Sequence, residues 1–338
     1  MAVELTPHET VTRHYLGSTA PGRELRKTRR CLRTGPRRAD PAAARRLTTE
    51  EIARACPVPE STVAQRIVRA KRTIADKRIP YEVPSGPQLA ERLRSVPAVV
   101  YLIFNEGYAA TGGEDWIRGE RCQDALRLAR MLAGLLPAEP ETHGLAALLE
   151  LQASRLPART GPAKDVVLLA EQDRSRWDRL LIRRGPAALR RANTVAGERG
   201  ISPGRYALQA AIAAVHAMAA TPEETDWRRI AGLYAVLGQR FPSPVIELNR
   251  AVAVSKVHGP AAGLELVDAL VGAGALDTHH LRYAVRGDLL AQLGRNQQAQ
   301  AEFTRAAELT GNASEQALLR GRAAACAGAD QDVPGASP

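Results

Sequence analysis

Apolar positions recur at helical spacing through most of this chain, and the most structured run begins at Leu47. Thr48 can cap a first helix while Glu51, three residues on, reaches back to the capping residue's own N–H. Ile52, Ala53 and Cys56 give that helix an apolar stripe. Pro57-Val58-Pro59 cannot continue it, because each proline lacks an N–H and restricts the residue before it. A second helix is predicted from Glu60, with Val63, Ile67, Ala70 and Ile74 at i, i+4, i+7 and i+11, so that Gln65, Arg66, Arg69 and Arg72 are turned outward. Residues 47–79 therefore read as a helix-turn-helix.

The pattern continues as helices to the C-terminus. The prolines of PYEVPSGP make residues 80–88 an extended linker, and 89–327 a second, helical domain. Leu89, Leu93 and Val96 have helical spacing. AVVYLIF is rich in strand formers and is compatible with a buried strand, but a helix that starts or kinks at Pro97 is favoured. Asn105-Glu106-Gly107-Tyr108 reads as a helix end, with Glu106 in a capping and turn role. Long amphipathic helices are expected from Trp116 to Leu136 (through Ile117, Cys122, Leu126, Leu128, Ala129 and Leu132, stopped by Pro137) and over 141–156, followed by a turn over 158–165. Asp173, Arg174, Arg176, Trp177 and Asp178 suggest an interhelical, salt-bridged packing motif. Gly287, Leu290, Gly294, Ala299, Phe303 and Ala306 fall at the small, large and turn positions of a tetratricopeptide helix pair, with Gly311 where proline is usual. Gly259, Gly263 and Val267 repeat part of that pattern at an offset of about 35 to 36 residues. Such pairs stack and commonly bind a protein on their concave face, so a protein partner, not DNA, is expected for residues 85–327. Residues 328–338 read as a disordered tail. The fold class expected is all-α.

Charge sharpens the division. The net charge is +11. Residues 1–80 hold 18 Lys+Arg against 8 Asp+Glu, a net of +10, and the remaining 258 residues hold 29 against 28. Basicity concentrated at the helix-turn-helix end is the footprint of a nucleic-acid-binding module joined to a neutral domain. Four cysteines, Cys31, Cys56, Cys122 and Cys326, stand far apart with no CxxC pair, which suggests neither zinc nor a disulfide framework. No apolar run spans a membrane and no secretory segment is visible, so a cytoplasmic location is expected. Of seven histidines only His279-His280 are adjacent, and neighbours one position apart on a helix do not share a face. No phosphate loop, GxSxG elbow or HExxH motif occurs. No catalytic activity, metal or cofactor is expected.

The second helix of the helix-turn-helix carries the chemistry. Glu60, Ser61, Thr62 and Gln65 stand at its N-terminal end, with hydroxyls and an amide able to bond base edges in a major groove, and Arg66 and Arg69 one turn on can reach guanine or phosphate. Lys71, Arg72, Lys77 and Arg78 neutralise backbone charge, which adds affinity without reading sequence.

The run LTTEEIARACPVPESTVAQRIVRAKRTI resembles region 4 of bacterial RNA polymerase sigma factors of the extracytoplasmic-function group. IPYEVP (79–84), YLIFNEGYAA (101–110), LLAEQDRSRWD (168–178), LQAAIAAVHA (208–217) and SPVIELNRAVAV (243–254) resemble the long C-terminal extension of one sigma subgroup. The resemblance implies reading of a promoter's −35 element, promoter DNA and core RNA polymerase as partners, and transcription initiation without catalysis. Region 2 of that family, which opens the −10 element, is not visible: residues 1–46 form an arginine-dense lead, read as disordered or non-native, as from a truncated or frame-disrupted gene or a wrongly chosen start. Two rival readings are a helix-turn-helix regulator that never serves as a sigma subunit, and a helical-repeat scaffold whose DNA module is idle.

Overall fold

The computed structural model describes residues 61, 64, 65, 68, 69, 72, 96–110, 117–162 and 165–329. The described residues are helical, with no strand beyond a single bridge between Thr160 and Val166. From residue 96 on they form eleven helices: α1 (Val96–Tyr108), α2 (Gly119–Leu135), α3 (Pro140–Ala153), α4 (Arg179–Glu198), α5 (Arg205–Met218), α6 (Trp227–Arg240), α7 (Pro244–His258), α8 (Pro260–Gly272), α9 (His280–Gln292), α10 (Asn296–Leu309) and α11 (Ala313–Ala329). Short 3-10 turns at Leu156–Ala158, Leu169–Glu171 and Arg174–Arg176 join α3 to α4.

AVVYLIF is helix, not strand. Pro97 sits in the first turn of α1, where its missing N–H is harmless, and Val100, Tyr101 and Phe104 turn inward. The helix read from Trp116 begins instead at Gly119 and ends at Leu135, with Cys122, Leu126, Ala129 and Leu132 buried. The one read over 141–156 runs Pro140–Ala153, because Pro140 occupies its first turn.

Most helices pack chiefly on a neighbour in sequence, whereas α5 packs chiefly on α3, and three apolar clusters follow one another along the stack. The first joins α1, α2, α3 and α5 around Tyr101, Phe104, Leu145, Leu148 and Leu149. The second lies between α5, α6 and α7, and the third fills α7 to α11 around Leu248, Val267, Leu290 and Phe303. Two helices serve two clusters each. α5 sends Tyr206, Ala210 and Ala213 to the first cluster and Leu208, Ile212 and Val215 to the second. α7 sends Ile246 and Ala253 to the second, and Val245, Leu248 and Ala251 to the third. A helix apolar on both sides is what a stack needs wherever one core hands over to the next.

The tetratricopeptide-like reading of 280–311 corresponds to the α9–α10 pair. Gly294 makes the turn with φ +72°, and a Cβ on Gly287 would lie 2.9 Å from the Phe303 ring. α7 and α8 form a comparable pair, hinged at Gly259 (φ +90°), with Gly263 seated against the Ala251 carbonyl of α7. The usual proline position, Gly311, precedes Asn312, whose Oδ1 accepts from the Ser314 and Glu315 N–H groups and caps α11.

Candidate nucleic-acid interface

Of the residues expected to read DNA, Ser61, Gln65, Arg69 and Arg72 are described, and all four are helical and exposed. Their spacing, i, i+4, i+8 and i+11, puts them along one side of the helix. Between Gln65 and Arg69 stands Val68, 63% exposed, to which the apolar pattern had assigned no part. Ala64 is half-buried. The side therefore offers a hydroxyl, an amide, an apolar tip and two guanidinium groups in order: hydrogen-bonding groups and an apolar group for base edges, then cations for phosphate. Glu60, Thr62, Arg66, Lys71, Lys77 and Arg78 lie outside the described residues, as do the first helix and its proline turn, the lead over 1–46 and the linker over 80–88.

The charged clusters of the helical domain serve packing and capping, with partners other than those expected. Asn105-Glu106-Gly107-Tyr108 do form the last turn of α1, but Glu106 is no cap. Its side chain is buried, 3.4 Å from Arg118 Nη1. Gly107 is there for close approach, because a Cβ would meet the Cys122 backbone nitrogen of α2 at 2.8 Å. Among the described residues, the charges at 173–178 form no ion pair with one another. Asp173 and Asp178 are caps: Asp173 accepts from Ser175 N at 2.9 Å, and Asp178 from Leu180 N and Leu181 N at 2.8 and 3.1 Å. Arg174 is buried and donates to carbonyls, with Nη1 at 3.1 Å from His216 O and 2.6 Å from Ala219 O, and Nη2 at 3.3 Å from Thr225 Oγ1. Its guanidinium lies over the Trp177 ring, 4.9 Å from the centroid. Alternating charge resembled ion pairing because sequence does not show that the carboxylates are spent on backbone N–H groups.

His279 and His280 do stack, with ring centroids 5.4 Å apart, because His279 precedes α9 in extended backbone and only His280 is within it. His280 Nε2 lies 3.1 Å from Glu315 Oε1, and the imidazole beside it holds the Glu315 carboxyl below the usual range against the burial that pushes it up. Among the described residues, no group of three or more His, Cys, Asp or Glu side chains is placed to hold a metal ion, and no helix is long and apolar enough to cross a membrane.

Sequence reasoning also missed a polar seam where α3 meets α5. Glu141 of α3 accepts from Tyr206 N and Ala207 N at 2.9 and 3.3 Å, capping α5 from a different helix, and burial pushes its carboxyl above the usual range. Gly204 supplies no side-chain cap, and a Cβ there would run into the Glu141 carboxylate. Gly144 lets the helices meet, since its Cβ would stand 2.8 Å from Ala207 N. A capping residue borrowed from 65 positions away leaves no local signature.

Residues 92–193 match the model of a family described as a family of unknown function (DUF6596). The chain is 47% identical over 274 residues to an uncharacterized protein of Rhizobium meliloti (strain 1021), in an alignment that takes in 81% of this chain and 63% of that relative. The chain thus spans less than two thirds of the relative's length. No solved structure matches.

Proposed function

We propose that the chain is a DNA-binding protein of the extracytoplasmic-function sigma type, which brings core RNA polymerase to a set of promoters through the helix that carries Ser61, Gln65, Arg69 and Arg72. The observation that carries this reading is the exposed side of that helix, where base-reading groups precede phosphate-reaching arginines in the order a recognition helix requires. It is supported by the net charge of +10 on residues 1–80 and by the region 4-like run from Leu47. Ser61 and Gln65 would bond base edges, Val68 would touch a thymine methyl, and Arg69 and Arg72 would bind guanine or phosphate. The stack of α1 to α11 would present a surface for a protein partner.

Two measurements test it. In duplex titrations, Gln65→Ala should cost about 1 to 3 kcal/mol on the preferred sequence and little on a scrambled one, whereas Arg72→Ala should weaken both alike. Pull-down of core polymerase by the full chain then separates a sigma subunit from a regulator. DNA binding without polymerase capture would leave the regulator, and a Gln65 variant that keeps the parent's affinity for the preferred duplex would remove the assignment of the helix.

A further inference from the structure

The near-neutral charge of the helical domain conceals an uneven distribution. α4 carries Arg179, Arg183, Arg184, Arg190 and Arg191 against a single acidic residue, Glu198 at its far end. Arg184 is held by the fold, 3.9 Å from the Glu150 carboxylate that also takes Arg130 at 2.9 Å. Arg199, just past the helix, pairs with Glu139 at 3.1 Å. The other four are exposed, and no carboxylate among the described residues lies within ion-pair distance of them. Arg179, Arg183 and Arg190 stand at i, i+4 and i+11, in line on the side opposite Gly185, Ala192 and Ala196, which are buried. Arg191 flanks them. Ala187 and Thr194 between them are small and exposed.

This arrangement works against the helix that carries it. Arg179 and Arg183 are like charges one turn apart, near a helix N-terminus whose partial positive charge favours acids, and the first turn contains none. Asp178 is present but its carboxylate is occupied by two backbone N–H groups. Uncompensated guanidinium groups in a row are complementary to a polyanion outside the chain. Arg179 and Arg190 are separated by roughly 16 Å of helix rise, about the rise of five phosphates along one strand of duplex DNA. We propose that the arginine stripe of α4 is a second nucleic-acid contact, binding the phosphate backbone of duplex DNA without reading its sequence. The choice of DNA as the polyanion rests on the promoter-binding reading above; the stripe itself does not.

The test is the salt dependence of full-chain binding to a duplex of roughly three helical turns. In the variant with Arg179→Gln, Arg183→Gln, Arg190→Gln and Arg191→Gln, the slope of log affinity against log salt should become shallower by about 3 to 4, at about 0.9 for each phosphate no longer neutralised. The four Arg→Lys substitutions should restore most of it, and helicity and melting temperature should be no lower than in the parent. A separate Gln65→Ala variant should lose sequence preference but keep the slope. An unchanged slope in the Arg→Gln variant, with the Gln65 effect intact, overturns the stripe and leaves the recognition helix. A shallower slope with no Gln65 effect does the reverse. No duplex binding by the parent chain overturns both. Failure of the Arg→Gln variant to bind a polyglutamate probe that the parent binds, with an unchanged DNA slope, identifies an acidic protein surface instead, and also overturns the proposal.

Discussion

Replacing Arg174 by methionine removes the donors while keeping much of the side-chain volume, and the structure gives the consequences separately. The carbonyls of His216, buried, and Ala219, half-buried, at the C-terminal end of α5, lose their guanidinium donor. A buried acceptor left without a donor costs about 1 to 3 kcal/mol and a half-buried one less, so the two together cost roughly 2 to 5. Loss of the guanidinium over Trp177 adds about 1 kcal/mol. Against this stands relief of the penalty for burying a cation, of the order of several kcal/mol. The balance is a destabilisation of about 2 to 4 kcal/mol. Urea unfolding followed by far-ultraviolet circular dichroism and tryptophan fluorescence measures it, and the midpoint should fall without a change in the denaturant slope. A double-mutant cycle supplies the refutation. If Arg174 acted through ion pairing with its neighbours, Asp173→Asn would couple to it strongly; the carbonyl-bonded geometry predicts coupling within about 0.5 kcal/mol of zero. Strong coupling, or an Arg174→Met midpoint equal to the parent's, would refute the reasoning.

Two further substitutions read other parts of the stack. His216 is buried against the Trp227 ring, and burial, with the positive charge of Arg155 and Arg174, pushes its imidazole down to about 3. The folded state then binds fewer protons than the unfolded one, so the stability it contributes is present above about pH 6.5 and is lost as pH falls toward 3, by about 2 kcal/mol at pH 5. His216→Phe should flatten the melting-temperature profile over that window, and a parallel profile would count against the assignment. Gly287→Ala would push a methyl into the Phe303 ring and should cost about 1 to 3 kcal/mol through overpacking of α9 on α10, measured by thermal unfolding; a neutral result would mean that the ring has room to shift.

Where a helix was read and had one buried stripe, its inward side was legible too; where it had none, only the helix itself was. In α2 and α10 the buried positions recur every three or four residues, and sequence located both within a few residues. α3 is buried over nearly its whole length, and α5 and α7 each feed two cores, so none of them shows a polar side from which to read orientation. Buried charge was the second blind spot. Arg159 and Arg174, both buried, and the half-buried Glu141 look like surface residues in any window of sequence, and only the long-range contacts that occupy them reveal otherwise. The exposed side through Ser61, Gln65, Arg69 and Arg72 was read in a different way, from the chemistry of its residues as much as from their period. On α4 the same cue was present in RLLIRRGPAALRRANT, but averaging charge over a near-neutral domain concealed it.

The chain holds 42 arginines and five lysines, and the structure uses that preference to tie distant segments together. Arg159 donates to Tyr108 O at 2.7 Å, Arg174 to His216 O and Ala219 O, Arg199 to Ala138 O at 3.0 Å, and Arg240 to Pro203 O. Each joins segments 37 to 61 residues apart by occupying a backbone carbonyl, and for Tyr108, His216 and Ala219 that carbonyl stands at a helix C-terminal end, where the dipole favours a cation. A planar guanidinium can bond two acceptors while lying on a ring, as Arg174 does on Trp177, and Arg159 lies likewise on Tyr108. An ammonium on a flexible stem cannot hold that geometry. These ties span α1 to α6, whereas α8 to α11 are joined by ion pairs such as Arg286 with Asp268 and Glu302. α4 therefore stands on the cross-tied half of the stack, capped by Asp178 and seated with Gly185 against the Leu151 side chain of α3. A stripe of arginines on such a base loses little further backbone freedom when it meets a polyanion, which is the condition under which exposed charges contribute most to binding.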